Sequence, residues 1–216
     1  MSARRAEFAT LAAALAAAAC GGPTVPRRAE TYAFEEQATG TVFWWPGDRL
    51  PVRYWVAPGA GAVEEYVDRA LEVWQEQFLY GEFSGVVVSD SSRADVIVVV
   101  DGPTPPDVPV TDDPPVAACS GFTFFPAPDA ADRFPTPPEI HLQWDQGPGE
   151  VDVANCLFRV AAHEVGHSLG ILAESPNQFD LMNTNPRVAA PSDQDRATVQ
   201  LLYHTPPNAL PPERPR

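Results

Sequence analysis

Residues 163–167 read His-Glu-Val-Gly-His. In a helix, a spacing of four sets His163 and His167 on one face, a single turn apart, so both imidazoles can reach one divalent ion. Neutral imidazole suits Zn2+ at about 2.0–2.1 Å. Glu164 is rotated from His163 by about 100°. It can therefore flank such an ion without ligating it and take a proton from water. Two helix histidines beside a solvated glutamate would give the same five letters, so the residues that follow have to separate the readings. The run continues Ser168-Leu169-Gly170 and later reaches Asp180-Leu181-Met182.

A constellation of this kind needs a rigid helix and a frame to hold it. Val151 to Leu172 has helical period, with Val153, Leu157, Val160, Ala161 and Leu169 on an apolar face. Asp152 or Asn155 is the expected cap at its start, and Gly170 the stop. A second amphipathic helix is expected over 62–79, with Val63, Val67, Ala70, Leu71, Trp74 and Phe78 on one stripe. A short third helix is expected over Ser192 to Tyr203, entered through a Ser192–Asp195 capping box. Runs of β type fall at Val52–Val56, Gly85–Val88, Asp95–Val100, Cys119–Phe125 and Glu139–Trp144. The run 95–100 is almost continuously apolar, which predicts a strand covered on both faces. The element order is that of an α/β layer. Proline, with 25 of 216 residues against a usual ~5%, concentrates in 101–138 and predicts long loops there. His141 is expected to be a strand side chain, and His204 to lie at the end of the last helix. Trp44, Trp45, Phe122, Phe124 and Phe125 are expected to pack in the core.

With Gly170 and Met182 added to the five-residue core, the sequence resembles the metzincins, and within them the matrixin-like branch, whose signature is HExxHxxGxxH followed by a Met-turn. The resemblance spans roughly residues 41–204, strongly over 159–182 and by element order before that. It implies an α/β (α+β) fold: a twisted mixed sheet of about five strands, two long helices, and an active-site helix followed by the Met-turn and a C-terminal helix. It also implies a zinc-dependent endopeptidase acting on peptide or protein substrates as a monomer. Glu164 would be the general base, Gly170 the sharp turn out of the helix, and Met182 the apolar floor beneath the ion. In the same comparison Cys119–Phe125 aligns with the edge strand along which the family lays an extended peptide.

The departure is the third ligand. Family spacing puts a histidine at 173, and this chain has Ala173 followed by Glu174. Two features of the resemblance favour Glu174, with a one-residue insertion after Gly170. Ser175 follows it, as Ser typically follows the family's third ligand, and Met182 lies eight residues on. His163, His167 and Glu174 would then hold one Zn2+, with Asp180 or a water as the competitor for the third place. A carboxylate there should acidify a bound water less than a third imidazole would. The rival reading, supported by the missing histidine, is a surface lipoprotein that keeps the fold as a binding module with a degenerate site. A Ca2+ site stays open, because Asp107, Asp112, Asp113, Asp129 and Asp132 are acidic loop residues without a recognisable ligand order.

Charge narrows the partners. With 14 basic and 29 acidic residues the chain carries −15 and has a pI near 4.5, which disfavours nucleic acid. Every basic residue is Arg, so lysine-based Schiff-base or P-loop chemistry has no residue to use. Residues 1–19, with Arg4, Arg5 and the apolar run Phe8–Ala19, predict an export signal. Ala17-Ala18-Ala19-Cys20 resembles a bacterial lipobox with Ala17 where Leu is commonest, and it also suits an ordinary small-residue cleavage site. If Cys20 is acylated, Cys119 and Cys156 remain as an even pair in an oxidising compartment. The expected organisation is a signal (1–19), a lipidated cysteine and tether (20–40), a catalytic domain (41–204) and a Pro-rich tail (205–216). The expected location is the cell envelope, periplasmic or surface-exposed, with membrane contact only through the lipid; plain secretion is the alternative.

Overall fold

The computed structural model describes residues 29–35, 40–111, 118–144 and 149–214. The expected signal, Cys20, Asp112 and Asp113 lie outside them. Five strands, β1 (Val52–Val56), β2 (Gly85–Val87), β3 (Val96–Asp101), β4 (Cys119–Phe124) and β5 (Glu139–Trp144), form one sheet in the order β2-β1-β3-β5-β4. Its first four members run parallel, and β4 closes the edge antiparallel to β5. Three helices complete the frame: α1 (Val63–Gln75), α2 (Glu150–Ser168) and α3 (Asp193–Tyr203). This is the mixed-sheet metzincin-like architecture.

Both long helices pack against one face of the sheet and against each other. The buried strand residues Val52, Tyr54, Val96, Val98, Ile140 and Leu142 meet the α1 stripe of Val63, Val67, Ala70, Leu71 and Trp74. The expectation that β3 is covered on both faces does not hold: Val96 and Val98 are fully buried, while Ile97, Val99 and Val100 are only partly so. Among the described residues only one face carries helices, and the β-branched residues on the other serve strand propensity rather than a second core. α1 stops at Gln75, short of 79, although Phe78 still packs inside.

α2 is buried almost all round from Val153 to Gly166, so it runs through the middle of the protein rather than along its surface. Its start differs from expectation. Gly149 stands at the cap position with no side-chain bond; Asp152 falls inside the first turn, and Asn155 instead bonds the Thr111 backbone N–H and hydroxyl. Three long-range hydrogen bonds fix the other end. Trp74 Nε1 donates to Ala162 O (2.7 Å), and Trp45 Nε1 to Ser168 O (2.8 Å). Ser168 Oγ donates to Val165 O, so the Tyr54 hydroxyl at 2.7 Å donates to it. Each satisfies a buried polar group and fixes the rotation of the helix about its axis.

Both flanking segments lie against this body. In 29–35, Tyr32 and Phe34 are buried; Tyr32 N donates to Thr198 Oγ1, and Leu172 N to Phe34 O (2.6 Å). In 205–214, Leu210 exchanges backbone hydrogen bonds with Asp132 and Phe134. The chain end is fastened at Asp95, which is 2% exposed. Its carboxylate accepts from Arg53 Nε (3.1 Å) and Arg214 Nε (2.9 Å), with Arg49 at 3.5 Å.

Burial pushes the Asp95 carboxyl up, but the hydrogen bonds from Arg214 and Arg53 outweigh it and hold it below the ordinary carboxylate value. A depressed folded-state value means the cluster stabilises fully above about pH 4, the range of an unfolded carboxyl. That contribution is lost as pH falls through the folded value. Asp95→Asn, which strands three guanidinium groups, should cost on the order of 3 kcal/mol at pH 7. Urea unfolding at pH 7 and pH 3 should show the gap between wild type and variant closing at the lower pH; a pH-independent gap would contradict the assignment.

Candidate metal centre and cleft

α2 presents His163 and His167 from one face, and both rings are fixed from behind. His163 Nδ1 lies 2.7 Å from Leu181 O, and His167 Nδ1 lies 2.5 Å from Ile171 O. A carbonyl can only accept, so each Nδ1 carries the proton and each Nε2 is left with its lone pair. Those two Nε2 atoms face each other at 3.0 Å, with the rings at 88°. Glu174 Oε1 completes a triangle, 3.6 Å from His163 Nε2 and 3.3 Å from His167 Nε2.

Three electron-pair donors converge with no proton of their own to share, an arrangement that repels itself unless a cation sits among them. Zn2+ bonds of about 2.0–2.1 Å in a tetrahedron separate neighbouring ligand atoms by about 3.3 Å. The observed separations bracket that value, so two imidazoles and one carboxylate fit zinc. Electrostatics point the same way. Burial pushes the Glu174 carboxyl up, yet where the metal is absent and the rings take up a proton at Nε2, the hydrogen bonds and charges of His163 and His167 bring it down to about 2. Burial pushes the His167 imidazole down, and the Glu174 carboxylate, accepting from the protonated ring, together with the charges of Glu164 and Glu174 more than reverses it. The spot between the rings favours positive charge.

Local chemistry of the loop explains how Glu174 arrives there. Gly170 has φ +107°, outside the range that side-chain-bearing residues adopt readily, and a Cβ on it would fall 1.9 Å from Phe43 O. The chain turns there. Ser175 then fastens the segment, its N–H donating to Met182 O (2.6 Å) and its hydroxyl to Asp180 Oδ2 (2.5 Å). Asp180 also accepts from Ser192 Oγ (2.7 Å) and Asn177 Nδ2 (3.0 Å). Both its oxygens are thus engaged in holding the loop, away from the triangle. Met182 is fully buried beside Gly166, where an added Cβ would fall 2.3 Å from the Met182 sulfur and 2.6 Å from the Trp74 ring.

Glu164 is buried, and its Oε2 accepts from the Thr123 hydroxyl on β4 (2.8 Å). The same strand is joined to α2 by a Cys119–Cys156 disulfide with Cα atoms 5.8 Å apart. Between β4, α2 and residues 184–187 lies a cleft of about 990 Å3 that contains the whole constellation.

Strand alternation corrects one expectation here. Cys119, Gly121 and Thr123 face α2, so Phe122 and Phe124 fall on the outer face of the uncovered sheet and are 49% and 54% exposed rather than packed inside. Phe122 stacks on His141 at 4.6 Å, and His141 is held by Asp101 (2.8 Å), outside the cleft. Trp45 and Phe125 do pack with Phe43. His204 Nδ1 donates to Gln200 O in the last turn of α3.

Two residues escaped the sequence reading. Asp195 reads as a helix cap, and it is one, but its carboxylate also accepts from Leu181 N (2.7 Å) and the Tyr32 hydroxyl (2.7 Å). It thereby steadies Leu181, whose carbonyl orients His163, and with Met182 N at 3.4 Å it also holds the peptide that carries this carbonyl. The Ser192-x-x-Asp195 pattern signals the cap alone. Arg159 sat unnoticed inside an apolar helix pattern, yet it lines the cleft one turn before His163.

Comparison with known proteins places these observations in a family. The matrixin family model matches residues 56–204. No curated protein matches the chain. Among solved structures, the chain is similar to high choriolytic enzyme 1, a hatching-enzyme zinc protease of Oryzias latipes (medaka fish). The identity is 10% and the TM-score 0.39, over 76% of this chain and 96% of that one.

Removing the carboxylate of the triangle should weaken Zn2+ binding in Glu174→Ala by more than about hundredfold, beyond what loss of an outer-shell partner costs. Chelator competition on the purified protein measures this. Asp180→Asn should keep the metal, and equal losses in both would sink the distinction. Gly166→Ala should overpack the Met182–Trp74 contact and cost about 1–3 kcal/mol, read as a lowered melting temperature.

Proposed function

The chain belongs to the matrixin family, a family of zinc metalloproteases, and from that premise we propose that it is an exported zinc-dependent endopeptidase. His163, His167 and Glu174 would hold the ion. The observation that carries this is the convergence of two Nε2 lone pairs and one carboxylate oxygen, with both Nδ1 protons committed to backbone carbonyls. When bound, zinc supplies a Lewis acid that acidifies water and draws charge from a carbonyl oxygen.

The chain's own residues do the rest. Glu164 takes a proton from the attacking water and delivers it to the leaving amine. Thr123 holds one of its carboxylate oxygens, which keeps the acid aimed into the cleft instead of collapsing onto the histidines. Among the described residues β4 pairs with β5 on one side and with no strand on the other, so that edge offers backbone N–H and C=O groups to an extended peptide. The disulfide keeps that edge at a fixed distance from α2. The intact acid beside the two histidines favours this reading over a binding module with a dead site, which has no use for Glu164.

For the part of the chain before residue 29, the reading is a signal over 1–19, acylation at Cys20, and a cell-envelope location with the catalytic domain outside the cytoplasm. The pairing of Cys119 with Cys156 supports an oxidising compartment.

Glu164→Gln tests the mechanism. Zinc content should stay near that of wild type, while hydrolysis of an unstructured protein substrate falls by at least about 10²–10⁴-fold. A variant that keeps its metal and its full activity would refute the assigned role.

A further inference from the structure

β4 and α2 meet in a repeating register. Alternate strand residues Cys119, Gly121 and Thr123 face the helix, and they meet it at Cys156, Val160 and Glu164, each four residues on from the last. Two strand residues rise about 6.6 Å and four helix residues about 6.0 Å, so the two elements stay in step over three rungs. The first rung is the disulfide, and the third is the hydrogen bond from the Thr123 hydroxyl to Glu164 Oε2 (2.8 Å). The middle rung is bare. Glycine inside a strand weakens it, so its place at 121 needs a reason.

Backbone conformation is not that reason, because Gly121 is not among the glycines with positive φ. Close approach is. A Cβ built on Gly121 would fall 2.8 Å from both Cγ and Oε1 of Glu164, and 2.7 Å from Val160 Cγ1. Ordinary contact begins near 3.4 Å, so a methyl group there would push the carboxylate off the strand. Glu164 therefore has one oxygen tied to Thr123 and the other lying over Gly121. Both contacts are with the strand whose far edge, among the described residues, has no partner. A peptide on that edge and the acid on the inner face are measured from the same rigid element.

We propose that Gly121 is a positioning residue for the general base: its missing side chain sets how deep the Glu164 carboxylate sits between β4 and α2, and so its reach to the attacking water. This rests on the peptidase reading above and adds a residue on which the rate depends. The shift that an alanine would force is small in stability, because Glu164 Cγ and Oε1 belong to a side chain that can rotate away. It is large in rate, because misplacing a reacting group by about 1 Å can lower turnover on the order of hundredfold.

Steady-state kinetics on a peptide that the zinc-loaded wild type cleaves, with zinc content measured alongside, test this. Gly121→Ala should lower kcat by about tenfold to hundredfold while KM and zinc content stay at their wild-type values. The other neighbour is separated by Val160→Ala, which returns volume on the helix side and keeps the double variant folded. Gly121→Ala/Val160→Ala should still turn over about tenfold or more slowly than Val160→Ala alone. Glu164→Asp draws the carboxylate back from the strand and should lower kcat by itself. Adding Gly121→Ala to it should then cost little more, so the two losses fall short of multiplying by about tenfold. In a binding arm, zinc-loaded Glu164→Gln with and without Gly121→Ala should hold a labelled peptide equally well by fluorescence anisotropy. An unchanged kcat in Gly121→Ala, recovery through Val160→Ala, or losses that multiply with Glu164→Asp overturn the inference and leave the peptidase reading standing. A loss carried by zinc content, KM or peptide affinity does the same, since it would make Gly121 part of the metal or peptide surface. No hydrolysis by zinc-loaded wild type overturns both.

Discussion

Two nitrogen lone pairs held 3.0 Å apart form the constraint around which this protein is arranged. Left to themselves the rings would turn away from one another. They are prevented because each Nδ1 proton is given to a backbone carbonyl, of Leu181 for one ring and Ile171 for the other. Neither carbonyl belongs to α2. The helix supplies the spacing, and the chain that folds back after Gly170 supplies the orientation. A helix with the same five residues and no returning loop would carry two histidines and no site.

That division of labour explains the density of polar contacts around the loop. Ser175, Asp180, Ser192 and Asp195 form a largely buried network that also takes in Asn177, the Tyr32 hydroxyl and backbone amides. Such networks are costly when incomplete and rigid when satisfied. Here the rigidity is spent on two positions: the Leu181 carbonyl behind His163 and the Glu174 carboxylate in front of it. Met182 and Trp74, pressed against Gly166, close the apolar side beneath the imidazoles.

What could be read from the letters followed their physical range. The buried stripe of helix α1 was legible residue for residue, though not its end at Gln75, because helix–sheet packing is written locally at i, i+3 and i+4. The histidine pair was legible for the same reason. The place of Glu174 came from the family resemblance, through Ser175 and Met182, and the structure brings Glu174 to the triangle while engaging Asp180 elsewhere. Three things were not legible. The face of β3 that stays uncovered depends on where distant helices pack. The second duty of Asp195 is a contact across fourteen residues of sequence. Arg159 has no hydrogen-bond or ion-pair partner among the described residues, and no pattern of residues announces an absence.

The strap formed by Tyr32 and Phe34 gives the amino-terminal side a part in the chemistry. Phe34 O receives the amide of Leu172, next in the chain to the carbonyl that aims His167, and the Tyr32 hydroxyl leans on the carboxylate that steadies the peptide behind His163. One short stretch thus braces the backs of both imidazoles. A chain trimmed at residue 40 would keep every group that could touch metal or substrate and still lose the stays that keep those rings converged. The segment around Tyr32 and the working end of this molecule are mechanically one piece.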